Sequence, residues 1–187
     1  NINGYLLDGP NVFVEKRMKP LSSELSPAGR GSQPTDGGNL ILDGRKEYDR
    51  AMSDPIAAKY VRPFRMGREL INGTNRWCLW MPGVEPSEIK SSSFLRDRVD
   101  AVKETRLASR KAVTRGKAMT AWLFDENHQP STRYLAIPAV FSGRREYATC
   151  DWYTSDIIAG NKIYTCADPD GLAFAVIESC MFMTWQK

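Results

Sequence analysis

The chain has a single histidine and only four cysteines, and both shortages limit the chemistry open to it. Cys78, Cys150, Cys166 and Cys180 are too widely spaced for a zinc knuckle, and only His128 could add a nitrogen ligand, so the sequence does not favour a zinc site. The cysteines at 78, 166 and 180 lie in apolar or strand-like surroundings, where a reduced cysteine behaves as a small buried hydrophobic residue. A lone histidine also gives little basis for a catalytic triad.

Long hydrophobic runs are missing as well. No apolar run approaches the ~18 residues of a membrane span, and no signal segment opens the chain, so we expect a soluble, cytoplasmic protein without a membrane partner. The 187 residues, 42% of them hydrophobic, suffice for one core, and we expect a single domain over residues 1–187. Because the chain opens with Asn and ends inside a predicted helix over 171–187, we expect a piece of a longer protein whose next segment is helical.

Residues 62–81, RPFRMGRELINGTNRWCLWM, gather four arginines and two tryptophans around a turn. The apolar run 77–81 is typical of a buried strand, with its two tryptophans in the core. Before it, residues 71–73 predict a turn in which Gly73 adopts a positive φ. Arg76 enters the strand from this turn, and we expect it to be a structural arginine that holds the turn.

This stretch resembles the "RPF…G…E…ING…RWCLWL" signature of MmeI-like DNA methyltransferases, the single-chain restriction-modification enzymes, in the part that contains their target-recognition domain. Further short motifs are similar to the family's and follow in its order. They are YLLDGPNVFVEKR at 5–17, DGGNL at 36–40, QP at 129–130 with YLAIP at 134–138, SGRREY at 142–147, IAGNK at 158–162 and FAVIES at 174–179. The resemblance therefore covers nearly the whole chain.

The resemblance implies a domain that binds duplex DNA, beside a catalytic domain of the same parent chain that methylates an adenine with S-adenosylmethionine. The chain itself lacks the Asp/Asn-Pro-Pro-Tyr/Phe element that holds a flipped base, since neither DGP at 8–10 nor DPI at 54–56 fits. The GRG at 29–31 has no flanking strand and helix, and no nuclease constellation is recognisable. We expect no catalytic residue, metal or cofactor site in this fragment, which should be inactive alone.

The pattern of apolar residues predicts an α+β fold, with a curved, mainly antiparallel sheet, flanking helices and long DNA-facing loops. The Ser, Pro and Gly-rich residues 22–39 predict a mobile loop that orders on DNA. Strands are predicted at 5–8, 11–15, 39–42, 77–81, 134–140, 146–152 and 161–165. Helices are predicted at 45–52 with Asp43 as the cap, from 54 to the Arg62-Pro63 pair, at 91–115 and at 171–185.

Basic residues outnumber acidic ones by eight to three between residues 96 and 117. Most such runs are solvated helix faces, whereas a nucleic-acid-binding protein uses one to follow the phosphates. Given the family resemblance, we favour the second interpretation for some of them. The predicted phosphate contacts are Arg106, Arg110, Lys111, Arg115 and Lys117.

The densest set of side chains able to read base edges is Arg144, Arg145 and Glu146, between two predicted strands. The resemblance implies that the family varies its specificity here. Relatives often read Ser-Glu-Arg-Arg, so Gly143 is a departure from the pattern. An ion pair of the arginines with Glu146, or a phosphate contact, is the alternative to base reading.

Two other functions remain open from the sequence. The chain could be a nucleic-acid-binding module of unrelated origin, including one for RNA, which would prefer single strands or A-form duplex. It could also be a protein-interaction domain, whose predicted C-terminal helix presents Phe174, Ile177, Met181 and Trp185 along one stripe.

Overall fold

The computed structural model describes residues 2–4, 6–11, 22 and 25–186, and this part of the chain folds into two four-stranded sheets with helices packed around them. The α+β class and the mainly antiparallel pairing are confirmed. The single curved sheet is replaced by two, and one pair of strands is parallel.

The first sheet has the strand order β1-β8-β5-β6, with all neighbours antiparallel. Its strands are β1 Gly29–Arg30, β5 Tyr134–Pro138, β6 Asp151–Tyr153 and β8 Ile163–Cys166. All five residues of β5 are buried, because both faces of this strand are covered. Tyr134 and Ala136 pack into one apolar cluster, whereas Leu135 and Ile137 pack into another on the opposite face.

The second sheet has the order β2-β4-β3-β7. Its strands are β2 Ile41–Leu42, β3 Val61–Arg65, β4 Trp77–Leu79 and β7 Ile158–Ala159. The pairs β2–β4 and β3–β4 are antiparallel, and β7 runs parallel to β3. This sheet borders the largest apolar cluster, against which the two tryptophans of the 62–81 stretch pack while partly buried.

The predicted turn before β4 is a short helix that ends in the expected conformation. Helix α2, Gly67–Asn72, stops at Gly73, whose φ of 64° lies in the left-handed region that favours glycine. Arg76 fulfils its structural role: its Nε lies 2.7 Å from Asp43 Oδ1, and its Nη1 lies 3.9 Å from the buried Glu69 carboxylate.

The helices follow the predicted pattern in part. Helix α1, Gly44–Ser53, is confirmed with Asp43 at its N-cap position, although the Asp43 side chain pairs with Arg76 and makes no capping hydrogen bond. The helix predicted from residue 54 is a 3-10 turn at Ala57–Tyr60. The single helix predicted at 91–115 is divided into α4 Ser93–Leu107 and α5 Ala112–Gly116, and a separate short helix, α3 Pro86–Ser91, precedes it. A 3-10 turn at Lys117–Thr120 follows α5.

Serine hydroxyls explain where two of these helices begin. Ser92 Oγ accepts the amide of Leu95 at 3.0 Å and caps α4. In the same way Ser179 Oγ accepts the amide of Phe182 at 3.2 Å, so the predicted C-terminal helix divides into α6 Leu172–Ile177 and α7 Cys180–Gln186.

Near the start of the chain the strand predictions fail or cannot be compared. Leu6 and Leu7 form a bend, and an isolated antiparallel bridge joins Asp8 to Ile2, because Leu6 adopts a φ of 61° that interrupts an extended strand. The strand predicted at 11–15 lies outside the described residues from position 12 onward. Within the predicted loop 22–39, β1 and the bridges from Ser32 to Gly160 and Gln33 to Glu126 attach residues 29–33 to the rest of the fold.

The cysteines are all free, and two of the three expected to be buried are buried. Cys78 and Cys166 lie in the apolar clusters, but Cys180 is exposed, because it begins α7 at the surface. Within the described ranges, no helix is long and apolar enough to cross a membrane.

Candidate nucleic-acid interface

Residues 139–150 form a long loop between the paired strands β5 and β6, where residues 146–150 were predicted to be strand. Three backbone amides fix this 139–150 loop. Ala139 donates to the carbonyl oxygen of Lys162 at 2.9 Å, Arg145 donates to that of Ser142 at 3.0 Å, and Cys150 donates to Glu178 Oε1 at 2.8 Å. Both ends of the loop are thus attached to neighbouring elements.

The predicted base-reading residues lie together on this loop. Arg144 and Glu146 are exposed, and neither side chain makes a hydrogen bond or ion pair to another described residue. Arg145 is half-buried, and its Nη1 donates to Thr149 Oγ1 at 2.9 Å. The alternative of an ion pair with Glu146 is therefore not formed among the described residues, and most of the guanidinium donors of both arginines have no hydrogen-bond partner among them.

The C-terminal helices support the loop through two residues that the sequence reasoning did not single out. Glu178, which ends α6, accepts the Cys150 amide, and Phe182 of α7 packs edge-on against Phe141 with ring centroids 6.3 Å apart. The "FAVIES" motif contains Glu178, but a spacing of 28 residues between donor and acceptor leaves no local pattern from which to predict the contact.

Arg106 must be removed from the predicted phosphate contacts. It is 1% exposed, and its five N–H groups all donate to backbone carbonyls at distances of 2.7 to 3.1 Å. The acceptors are Pro34, Thr35, Lys117, Thr120 and Leu123. Burial lowers the pKa of Arg106. A guanidinium with every donor occupied inside the fold has none left for DNA.

The other four predicted phosphate contacts differ in how free they are. Arg110 and Lys111 are exposed on the turn between α4 and α5, and their side chains contact no described partner by hydrogen bond or ion pair. Arg115 is exposed, although its Nη1 donates to the carbonyls of Ser109 and Arg110, both at 2.9 Å. Lys117 is instead occupied, because its Nζ lies 3.2 Å from Asp125 Oδ1 and also donates to the Asp125 carbonyl.

Three of the four arginines in the 62–81 stretch hold the local fold. Besides Arg76, Arg62 donates to the carbonyls of Lys59 and Val61 at 2.8 and 2.9 Å, and Arg65 Nη2 donates to Asn75 Oδ1 at 3.0 Å. Arg68 is exposed on α2 and has no such partner among the described residues. Most of the arginines in residues 62–81 therefore stabilise the local fold.

The shifted pKa values come mainly from burial in the core. Burial raises the pKa of Cys150 to about 12, that of Tyr153 to about 12, and that of Cys78 well above the usual value for a thiol. Among the described residues, no group of three or more His, Cys, Asp or Glu side chains lies close enough to hold a metal ion. The 139–150 loop and the turn between α4 and α5 instead expose positive charge and hydrogen-bond donors at the surface.

Comparison with known proteins identifies the family. The family model described as "MmeI, target recognition domain" matches residues 8–187. The chain belongs to this family. The expectation drawn from residues 62–81 and from the collinear shorter motifs is thereby confirmed.

Two relatives show how the family domain sits within larger proteins. DNA methyltransferase A of Bacillus subtilis (strain 168) is 33% identical over 187 residues, which are 100% of this chain and 21% of that protein. The solved structure of the type IIL restriction-modification enzyme MmeI in complex with DNA matches with a TM-score of 0.85 and 36% identity, over 99% of this chain and 25% of that chain. The chain thus spans a quarter or less of the length of these relatives.

Proposed function

We propose that this chain recognises a specific duplex DNA sequence as the target-recognition domain of an adenine-specific DNA methyltransferase in a restriction-modification system. The methyl group would come from S-adenosylmethionine held by a catalytic domain elsewhere in the parent chain. The observation that carries the proposal is the match over 99% of the chain, at 36% identity, to an enzyme solved in complex with DNA. The setting would be the cytoplasm, where chromosomal and invading DNA are both accessible.

Base reading is assigned to Arg144, Arg145 and Glu146. An arginine fork satisfies the two acceptors of guanine in the major groove, and a glutamate accepts from the amino group of cytosine. The contact between Arg145 Nη1 and Thr149 restrains the guanidinium and leaves its other donors for a base. Support for the loop from both ends favours this assignment, because a reading side chain must be held in place to discriminate.

Phosphate contact is assigned to Arg110, Lys111 and Arg115. These residues are exposed and close together around α5, and a duplex presents one negative charge about every 1.7 Å along its axis. Contacts of this kind orient the duplex without reading its sequence. Arg106, which is buried, and Lys117, which is paired with Asp125, are left out of the assignment.

The direct test is a binding series with the purified chain. Fluorescence anisotropy with duplex DNA should give weak binding that falls steeply as salt rises, because each phosphate neutralised releases counterions. The same labelled sequence as a single strand, and as an A-form RNA duplex, should bind less well. Methyl transfer from S-adenosylmethionine should be absent from this chain alone.

Three results would count against the proposal. Undetectable affinity for duplex DNA at low salt, in a sample with a cooperative thermal transition, would favour a protein-interaction domain. A preference for single strands or A-form duplex would favour the unrelated nucleic-acid-binding module. In a host that expresses the parent protein, a chromosome sequenced without modified adenines would remove the proposed adenine specificity.

A further inference from the structure

An open cleft of about 530 Å³ lies beside the foot of the 139–150 loop. Its charged lining includes Arg68, Arg76, Lys162, Asp43 and Glu69, which come from the α1 cap, α2, the residue before β4 and the turn between β7 and β8. Val140, the second residue of the loop, borders the same cleft and is 72% exposed. The cleft therefore adjoins the segment to which base reading is assigned.

A close backbone approach places the segments that carry Arg68 and Lys162 side by side. A Cβ added at Gly67 would lie 3.2 Å from the carbonyl oxygen of Lys162, so the start of α2 rests directly on the β7–β8 turn. The same Lys162 oxygen accepts the Ala139 amide at 2.9 Å. Arg68 follows Gly67 in α2. The carbonyl oxygen of Lys162 therefore contacts both the start of α2 and the foot of the 139–150 loop.

The charges in the cleft are unevenly satisfied. Arg76 donates from Nη2 to Asp43 Oδ2 at 3.1 Å and lies 3.9 Å from Glu69, so its charge is matched by these two carboxylates. Arg68 and Lys162 are exposed and have no ion pair with another described residue. With three cations against two carboxylates, the lining retains a positive excess carried by the two unpaired side chains.

We infer that Arg68 and Lys162 form a phosphate-binding pair for the DNA backbone, next to the loop that reads the bases. The inference rests on the proposed function, and it adds a contact surface outside the basic run at 96–117. Val140 and Arg144 are four residues apart, so at most ~14 Å of extended chain separates the cleft from the first base-reading arginine. A phosphate bound by the pair would therefore belong to a nucleotide within a few steps of the base that is read.

The test uses the full-length parent enzyme and compares two double variants that remove the same charge. Arg68→Ala with Lys162→Ala should weaken binding to a random-sequence duplex and to a duplex that contains the recognition sequence to the same extent. The expected loss is about tenfold for each phosphate that is no longer bound. The slope of log affinity against log salt should flatten by about 0.9 for each of these phosphates. The methylated motif should stay the same, because phosphate contacts carry no base information.

The matched control is Lys46→Ala with Lys90→Ala, two exposed cations on α1 and α3 that lie outside the basic run 96–117 and do not line the cleft. Both double variants should melt near the wild-type temperature, and Lys162→Arg, which keeps the charge, should bind as wild type does. The inference that Arg68 and Lys162 bind phosphate is overturned if both double variants lose the same affinity, or if the cleft variant loses none. In either case, salt-dependent duplex binding by the wild type would still support the proposed function. If the wild-type enzyme bound no duplex DNA, both the phosphate-binding pair and the proposed function would be overturned.

Discussion

Glu178 accepts a hydrogen bond from the backbone amide of Cys150 at 2.8 Å and so joins the end of α6 to the end of the 139–150 loop. The carboxylate is the only side-chain acceptor that this loop amide has among the described residues. Beside it, the edge-on contact of Phe141 with Phe182 attaches the other end of the loop to α7. The loop that carries Arg144 and Arg145 is therefore held at both ends by contacts with α6 and α7.

Replacement of Glu178 by Ala should loosen recognition more than it loosens the fold. A hydrogen bond to a charged acceptor contributes about 1.5–3 kcal/mol, which we expect to appear partly as a lower melting temperature and partly as relaxed discrimination at one base pair. Modification-sensitive sequencing of DNA methylated by the full-length parent reads out the motif. Glu178→Gln keeps an acceptor and should keep the motif; a motif unchanged in Glu178→Ala would mean that the helices do not position the loop.

The base-reading assignment predicts a change of specificity in the parent enzyme that carries Arg145→Asp together with Gly143→Lys. A carboxylate can only accept, so it should disfavour guanine and tolerate cytosine, and a good bidentate contact is worth about 1–3 kcal/mol of discrimination. One position of the methylated motif should therefore change or become degenerate. Retained activity on an identical motif would move the specificity determinants elsewhere, to residues 129–133 or 151–156.

Removal of the Arg106 guanidinium should destabilise the fold. Arg106→Met keeps much of the side-chain volume but leaves five carbonyls without their donor, and we expect a loss of about 3–5 kcal/mol in the free energy of unfolding. Urea denaturation measures it. The comparison is Arg110→Ala, which should leave stability within about 0.5 kcal/mol of wild type but weaken duplex binding. Normal stability of Arg106→Met would contradict the structural role.

The lowered pKa of Glu88 predicts that the protein loses stability in acid. Hydrogen bonds from Lys59 and Tyr60 hold the pKa of this carboxyl at about 2, below its ordinary 4.5. Since the folded pKa is the lower one, the contribution is present above about pH 4.5 and is lost as the pH falls toward 2. Melting temperatures of wild type and Glu88→Gln, measured between pH 6 and about pH 2.5, should converge as the pH falls. A difference that stays constant over this range would rule out a role for the charge.

Local signals predicted the elements whose causes are local. Asp43 before an amphipathic run marked α1, and the glycine at 73 marked the positive φ that ends α2. The breaks in the predicted helices were harder to see, because a serine inside a helical pattern is either a surface residue or a cap. Only the structure decides which, as with Ser92 and Ser179.

Charge alone could not separate the arginines that hold the fold from those that face outward. Arg106 and Arg110 are four residues apart in one basic run, yet the first is bound by carbonyls from residues up to 72 positions away and the second is exposed. Such partners are invisible to a periodicity argument, since they depend on the tertiary path of the chain. The family motifs, in contrast, identified the domain because they read several local strings in order.

The parallel pairing of β7 with β3 has a consequence for the order of events during synthesis. In the described part of the chain, three strands of the second sheet come from residues 41–79 and its fourth from residues 158–159, whereas the first sheet takes β1 from residues 29–30 and the rest from 134–166. Each half of the polypeptide lends one strand to the sheet of the other half. On the ribosome, the second sheet can therefore be completed only after residues 158–159 have emerged, and the first only after residue 166. Until then the strands from the N-terminal half keep an unpaired edge.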